Sequence, residues 1–132
     1  MSNTKCRILY VDDHEDSSFM LQLVLSAADY EVQAAHSVAS ALKLAAHVNF
    51  DLYVVDKRLP DGSGLQLVQQ LKALTPGVPG IVYTGDAYEI HREQALTAGA
   101  DAYVLKPDID GLIETVHRFL SQRECAAAGE AA

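Results

Sequence analysis

The sequence is short of positive charge: ten Lys and Arg stand against eighteen Asp and Glu, a formal charge of −8. Such a surplus repels nucleic acid phosphates, so direct nucleic-acid binding is not expected. Cysteine is scarce as well. Cys6 and Cys125 are the only two, and they lie at opposite ends with no C-x-x-C spacing. A reduced pair is therefore expected instead of a disulfide or a zinc site. Every apolar run is broken by polar or charged residues before it could span a bilayer, and no signal-peptide block follows Met1 to Lys5. The expectation is a soluble cytoplasmic protein with no membrane partner. Two motifs are also missing. There is no G-x-x-x-x-G-K-[ST] loop for a nucleotide, and no Asp-x-Asp of an aspartyl phosphatase, because Asp56 is followed by Lys57 and Arg58. No basic helix-turn-helix pattern follows residue 122, so any output is expected to come from a partner or from further chain.

What is present is a chain of 132 residues, 49% of them hydrophobic, enough for one compact core and too short for two ordinary ones. We expect a single domain over 1–124, with 125–132 a flexible tail or cut linker, since that end is alanine-rich and has no large apolar residue to dock. Apolar runs with β-branched or aromatic residues recur at Ile8 to Val11, Tyr30 to Ala35, Leu52 to Val55, Ile81 to Tyr83 and Ala102 to Leu105. These read as five strands. Between them, and after the last, lie helical spacings such as Leu65, Val68 and Leu71, or Ile109, Leu112, Ile113 and Val116. Ser37, Ser63 and Asp108 are placed to cap the second, third and fifth helices. The fourth helix, Tyr88 to Ala98, offers only a few small apolar positions and is expected to be weakly anchored. Near-continuous apolar strands alternating with helices predict a doubly wound α/β fold: a five-stranded parallel sheet with five helices.

In such a sheet ligands bind beyond the carboxyl ends of the strands. The polar residues collect there: Asp12 and Asp13 after the first strand, Asp56 after the third, Thr84, Gly85 and Asp86 at the fourth, and Lys106 with Pro107 after the fifth. Three carboxylates at one edge would repel one another unless a cation sits among them. Oxygen ligands suit Mg2+ or Mn2+ far better than zinc. Lys106 adds positive charge and Thr84 a hydroxyl donor, so the edge is suited to a phosphoryl group beside Asp56. A carboxylate can attack phosphorus without a general base, and the product is an aspartyl phosphate. His14, His36, His47, His91 and His117 show no metal-ligand spacing and are expected at surface or helix-face positions. An Arg58 to Asp86 contact across facing loops, tuning the lifetime of the phosphoryl group, is a further expectation.

With Val11-Asp12-Asp13, the block from Asp56 to Gly64, Thr84-Gly85 and Lys106-Pro107 all in order, the chain resembles the receiver domain of two-component response regulators, of the chemotaxis-regulator type, over residues 6 to 122. The resemblance implies a flavodoxin-like sheet of strand order 2-1-3-4-5. It implies that Asp56 accepts a phosphoryl group from a histidine kinase or histidine phosphotransfer protein, and that the chain catalyses only its own Mg-dependent phosphorylation and dephosphorylation. It also implies that Asp13 and Asp56 ligate Mg2+ directly, with Asp12 acting through water and the Arg58 backbone carbonyl completing the protein ligands. A cis Lys106–Pro107 peptide would aim the lysine into the site. Thr84 and Tyr103 would form the switch, changing the helix 4, strand 5 and helix 5 surface that controls a downstream effector or a phosphorylation-dependent homodimer. Alternatives are a pseudo-receiver that only binds partners, against which every key residue is filled, and a receiver portion of a hybrid kinase or larger regulator.

Overall fold

The computed structural model describes residues 5–121. Its sheet has five strands, β1 (Arg7–Val11), β2 (Glu31–Ala35), β3 (Leu52–Val55), β4 (Gly80–Thr84) and β5 (Ala102–Leu105). All neighbouring pairs are parallel. Their order is β2-β1-β3-β4-β5, as predicted. The connections are α1 (Glu15–Ala27), α2 (Val38–His47), α3 (Gly64–Leu74) and α4 (Glu89–Thr97), and α5 (Ile109–Leu120) follows the last strand. Among the described residues no helix is long and apolar enough to cross a membrane.

The strands are apolar throughout because both faces are covered. Side chains alternate across a strand, and β1 shows the consequence: Ile8 and Tyr10 join one core, Leu9 and Val11 the other. The first core packs β1, β3 and β4 against Leu21 and Leu25 of α1 and Leu112, Val116 and Leu120 of α5. On the opposite face the sheet meets Ala41 and Ala45 of α2, Leu67, Val68 and Leu71 of α3, and Ala95 of α4. Each fully buried Leu or Val contributes about 1.5–3 kcal/mol, so α3 and α5 are firmly held. α4 buries Ala95 alone and leaves Ile90 and Leu96 exposed, in line with the weak anchoring expected of it.

All three predicted caps form. Ser37 Oγ accepts from the Ser40 N–H at 3.1 Å, Ser63 Oγ from Leu65 N–H at 3.1 Å, and an Asp108 carboxylate oxygen from Gly111 N–H at 2.9 Å. One cap lay outside sequence reach. The Asp61 carboxylate accepts from the N–H groups of Val38 and Ala39, at 2.7 and 3.0 Å, tying the loop after β3 to the start of α2. Those backbone donors hold the Asp61 carboxyl below its ordinary value. The same loop carries a two-residue antiparallel ladder, Arg58–Leu59 against Gly62–Ser63, too short to leave a strand pattern in the sequence.

The cysteine expectation is corrected. Cys6 is disulfide-bonded, its partner sulfur lying outside the described residues. Distance along the chain was a poor guide, since Leu120, near the end of α5, packs in the same core as Cys6. The tail expected at 125–132 also lies outside the described residues.

Candidate functional site

The carboxyl edge of the sheet gathers the predicted polar residues, each delivered by the end of a buried strand. β1 runs straight into Asp12, which is fully buried, and β3 into Asp56, 7% exposed; Thr84 closes β4 at 5%. β5 is followed by Lys106, and the Lys106–Pro107 peptide is cis. The Lys106 ammonium lies 2.7 Å from Asp12 Oδ2 and 3.3 Å from Asp56 Oδ2, so one cation from the edge strand reaches past β4 to bridge the ends of β3 and β1. Tyr10, a core residue of β1, turns its hydroxyl to donate to Asp12 Oδ2 at 2.7 Å. On the other side of that carboxylate, the His14 N–H donates to Oδ1 at 3.0 Å.

These contacts divide the two buried acids. Burial raises the Asp12 carboxyl, but hydrogen bonds from Lys106, Tyr10 and the His14 N–H outweigh it and bring the pKa down to about 2. Asp56 moves the other way. Its burial dominates, the Asp12 charge adds to it, and Lys106 offsets only part, so its carboxyl is raised. Lys106 is itself raised: burial works against its charge, and the bond to Asp12 with the charge of Asp56 more than compensates. One donor atom from each of Asp12, Asp13, His14 and Asp56 falls within 4.8 Å of the others. Clustered carboxylate oxygens of this kind fit a hard divalent cation. Asp13, His14 and Asp56 of this group face a cleft of about 920 Å³ lined also by Arg58, Thr84 and Lys106.

A second polar centre lies beside the first, and here one expectation fails. Asp86 pairs with Lys57, not with Arg58: the Lys57 ammonium is 2.5 Å from Asp86 Oδ2. Arg58, paired with Ser63 in the short ladder, is turned outward and exposed at the rim. His91 Nδ1 lies 2.6 Å from the same Asp86 oxygen, and Tyr88 N–H donates to Oδ1 at 3.0 Å. With Lys57 the chief cause, the Asp86 carboxyl is held well below the usual carboxylate range. Tyr103, half-buried on β5, donates its hydroxyl to the Asp86 backbone carbonyl at 2.6 Å. Thr84 Oγ1 is at 3.4 Å from Asp86 N–H, so the predicted switch pair meets at this one residue.

Three histidines are more engaged than their spacing suggested. His14 Nδ1 sits 3.1 Å from Asp12 Oδ1 and 3.1 Å from Asp13 Oδ1. His36 Nδ1 contacts the Asp12 backbone carbonyl at 2.8 Å, bracing the acid pair from β2, and His91 braces Asp86. For His14 and His91 a signal existed: each lies within five residues of a site acid. The contact of His36 depends on β2 lying next to β1, which local sequence does not encode.

The family model for the response regulator receiver domain matches residues 8–117. The response regulator protein PilR of Pseudomonas aeruginosa is 37% identical over 118 residues, which cover 89% of this chain and 26% of that protein. The chain thus spans a minor part of that relative's length. Among solved structures, a CheY-like response regulator receiver domain protein from Methanospirillum hungatei has a TM-score of 0.85 at 32% identity, over 90% of this chain and 96% of its own. A Burkholderia pseudomallei response regulator protein, crystallised with a phosphorylated aspartic acid, a calcium ion and citrate, has a TM-score of 0.78 at 30% identity, over 90% and 76%. A family match that takes in every strand end described above leaves no other assignment: the chain belongs to the receiver domains of two-component response regulators.

Proposed function

We propose that Asp56 accepts a phosphoryl group from a histidine kinase or histidine phosphotransfer protein, and that the modification resets the surface of α4, β5 and α5 for a downstream effector. The observation that carries this reading is the placement of Asp56. It is a buried carboxylate at the end of the central strand, 3.3 Å from the Lys106 ammonium and open to a cleft larger than a phosphoryl group needs. In the transfer an Asp56 oxygen attacks phosphorus, the bond from phosphorus to the donor's imidazole nitrogen breaks, and its electron pair stays with the imidazole. Lys106 and the Thr84 hydroxyl are placed to donate to phosphoryl oxygens.

The carboxylates of Asp12, Asp13 and Asp56, with the Arg58 backbone carbonyl, are the groups to hold Mg2+ or Mn2+. Bound there, such an ion supplies charge neutralisation for the phosphoryl oxygens. The chain acts catalytically only on its own phosphorylation and dephosphorylation. Asp86, fixed by Lys57 and lining the same cleft as Arg58, is the group to tune the lifetime of the modified state. Thr84 and Tyr103 form the switch through their shared contact with the Asp86 backbone. The complete set of acid pair, hydroxyl and lysine weighs against a pseudo-receiver. The phosphorylated aspartic acid of the Burkholderia protein adds support.

Intact mass after incubation with acetyl phosphate and Mg2+ tests the proposal. One phosphoryl adduct is expected, dependent on Mg2+ and absent from Asp56→Asn. An adduct that persists in the variant would place the acceptor elsewhere.

A further inference from the structure

We propose that His14 is an additional ligand of the divalent-cation site, and that its imidazole gives the site a preference for transition-series dications such as Co2+ and Ni2+ over Mg2+. The inference rests on the metal-site reading above and adds to it a nitrogen donor.

Three geometric facts carry it. First, His14 belongs to the four-residue group whose donor atoms lie within 4.8 Å of one another. Second, His14 Nδ1 is 3.1 Å from Asp12 Oδ1 and equally 3.1 Å from Asp13 Oδ1. Around a dication with ligands at about 2.1–2.2 Å, adjacent octahedral positions are separated by about 3.0–3.1 Å, so these atoms already stand at the spacing of neighbouring ligands. Third, the Asp12 carboxylate is divided between two tasks. Its Oδ2 receives Lys106 and Tyr10, while Oδ1 meets the backbone N–H and the ring Nδ1 of His14.

The ring is positioned by the backbone and has no competing role in packing. His14 is the N-cap residue of α1, and its own N–H bonds Asp12 Oδ1. Its side chain is 69% exposed and lines the cleft that Asp56 faces. The other histidines are engaged elsewhere: His36 on a backbone carbonyl, His47 on the Lys43 carbonyl, His91 on Asp86 and His117 on Tyr30. Chemistry then sets the direction of the preference. Mg2+ takes oxygen ligands and gives up its water reluctantly, so an imidazole adds little to its binding. Later first-row dications gain most from a nitrogen donor, and affinity rises from Mn2+ through Co2+ to Ni2+.

The test is a calorimetric titration of the full chain, its His14→Gln variant and its Asp13→Asn variant with Ni2+ and with Mg2+. It is joined by proton NMR of the Co2+-loaded forms, where a ligating imidazole shows a hyperfine-shifted exchangeable N–H. The expected result is a ratio of Ni2+ to Mg2+ affinity that falls at least tenfold in His14→Gln, with loss of a shifted N–H resonance present in the parent. A smaller change in that ratio, or a parent spectrum without such a resonance, overturns the role of His14. If either occurs while Asp13→Asn still weakens both ions, the carboxylate site stands without the histidine. If Asp13→Asn weakens neither ion, the metal-site reading itself fails and the inference falls with it.

Discussion

Replacing Gly64 by alanine tests how tightly the phosphoacceptor loop is built. A Cβ on Gly64 would stand 1.9 Å from the Asp56 carbonyl oxygen, 2.8 Å from its carbonyl carbon and 3.0 Å from Lys57 Cα. Ordinary contact begins near 3.4 Å, so the methyl is about 1.5 Å too close to an atom that no rotamer change can move. The backbone at Gly64 is not left-handed, because the positive-φ glycine among the described residues is Gly99. The requirement is therefore one of space. To relieve the clash the first turn of α3 must retreat from β3. That breaks the Gly64 N–H to Lys57 carbonyl bond of 2.7 Å, disturbs the Ser63 cap, and works against the burial of Leu67, Val68 and Leu71. Overpacking costs about 1–3 kcal/mol and the lost hydrogen bond about 1 kcal/mol more, so Gly64→Ala should lower stability by about 2–4 kcal/mol in urea unfolding. Because the displaced atoms belong to Asp56 itself, adduct formation with acetyl phosphate should slow even in the fraction that stays folded. The control is Gly85→Ala, where nothing lies within 4 Å of the added carbon and stability should stay within about 1 kcal/mol. A Gly64→Ala protein as stable as that control would refute the close approach.

Three further outcomes are expected. In cation-free buffer Asp56→Asn should be more stable than the parent at neutral pH, because burial disfavours the charged carboxylate. Since the folded-state pKa of Asp56 is raised, the parent's share of stability from this group is full below the ordinary value of 3.8 and is lost as pH rises through the folded value. The gap between variant and parent should thus open with rising pH above 3.8, and a gap that is constant with pH would contradict the assignment. Asp12 has the opposite sign: its contribution is present above 3.8 and lost as pH falls through about 2. Ser18 is 1% exposed, and its hydroxyl has no hydrogen-bond partner among the described residues; Ser18→Ala should raise the unfolding midpoint by about 1 kcal/mol equivalent, and a loss would reveal a hidden partner. Lys57→Met and Asp86→Asn should each speed amide exchange in the first two turns of α4 at least tenfold, whereas Arg58→Ala should leave it unchanged; equal effects from all three would remove the distinction drawn between Lys57 and Arg58.

Much of this was legible in the sequence because the information is local. Apolar runs mark the strands, each site residue follows one of them directly, and Ser37, Ser63 and Asp108 sit one residue before their helices. What escaped was fixed by tertiary neighbours. Asp61 caps a helix whose first residue lies 23 positions earlier, and His36 meets Asp12 only because β2 lies beside β1. The choice between Lys57 and Arg58 was beyond a linear reading. Both are cations following Asp56, and which of them meets Asp86 depends on the fold of the loop after β3, whose two-residue ladder takes in Arg58 and is too short to leave a pattern. Cys6 failed for a related reason, since separation along the chain is no measure of distance after α5 folds back over the sheet.

The contrast between α3 and α4 bears on how a charge at Asp56 would be read elsewhere. α3 is seated by Leu67, Val68 and Leu71, contacts that depend on shape and are indifferent to charge. Ala95 is the buried residue of α4, and its first turn is held instead through Asp86, which binds His91, Tyr88 N–H and Lys57 at once. Lys57 is the residue next to Asp56. A phosphoryl group brings close to two negative charges at neutral pH, and Lys106 on Asp56 and Lys57 on Asp86 are the ammoniums paired with carboxylates of this edge. Whatever share of Lys57 it draws is taken from Asp86, and so from the contacts that hold α4 and receive the Tyr103 hydroxyl. Under the proposed function, the helix with the least apolar burial is therefore the one whose position depends on the state of Asp56. Tighter apolar packing of α4 would remove that dependence.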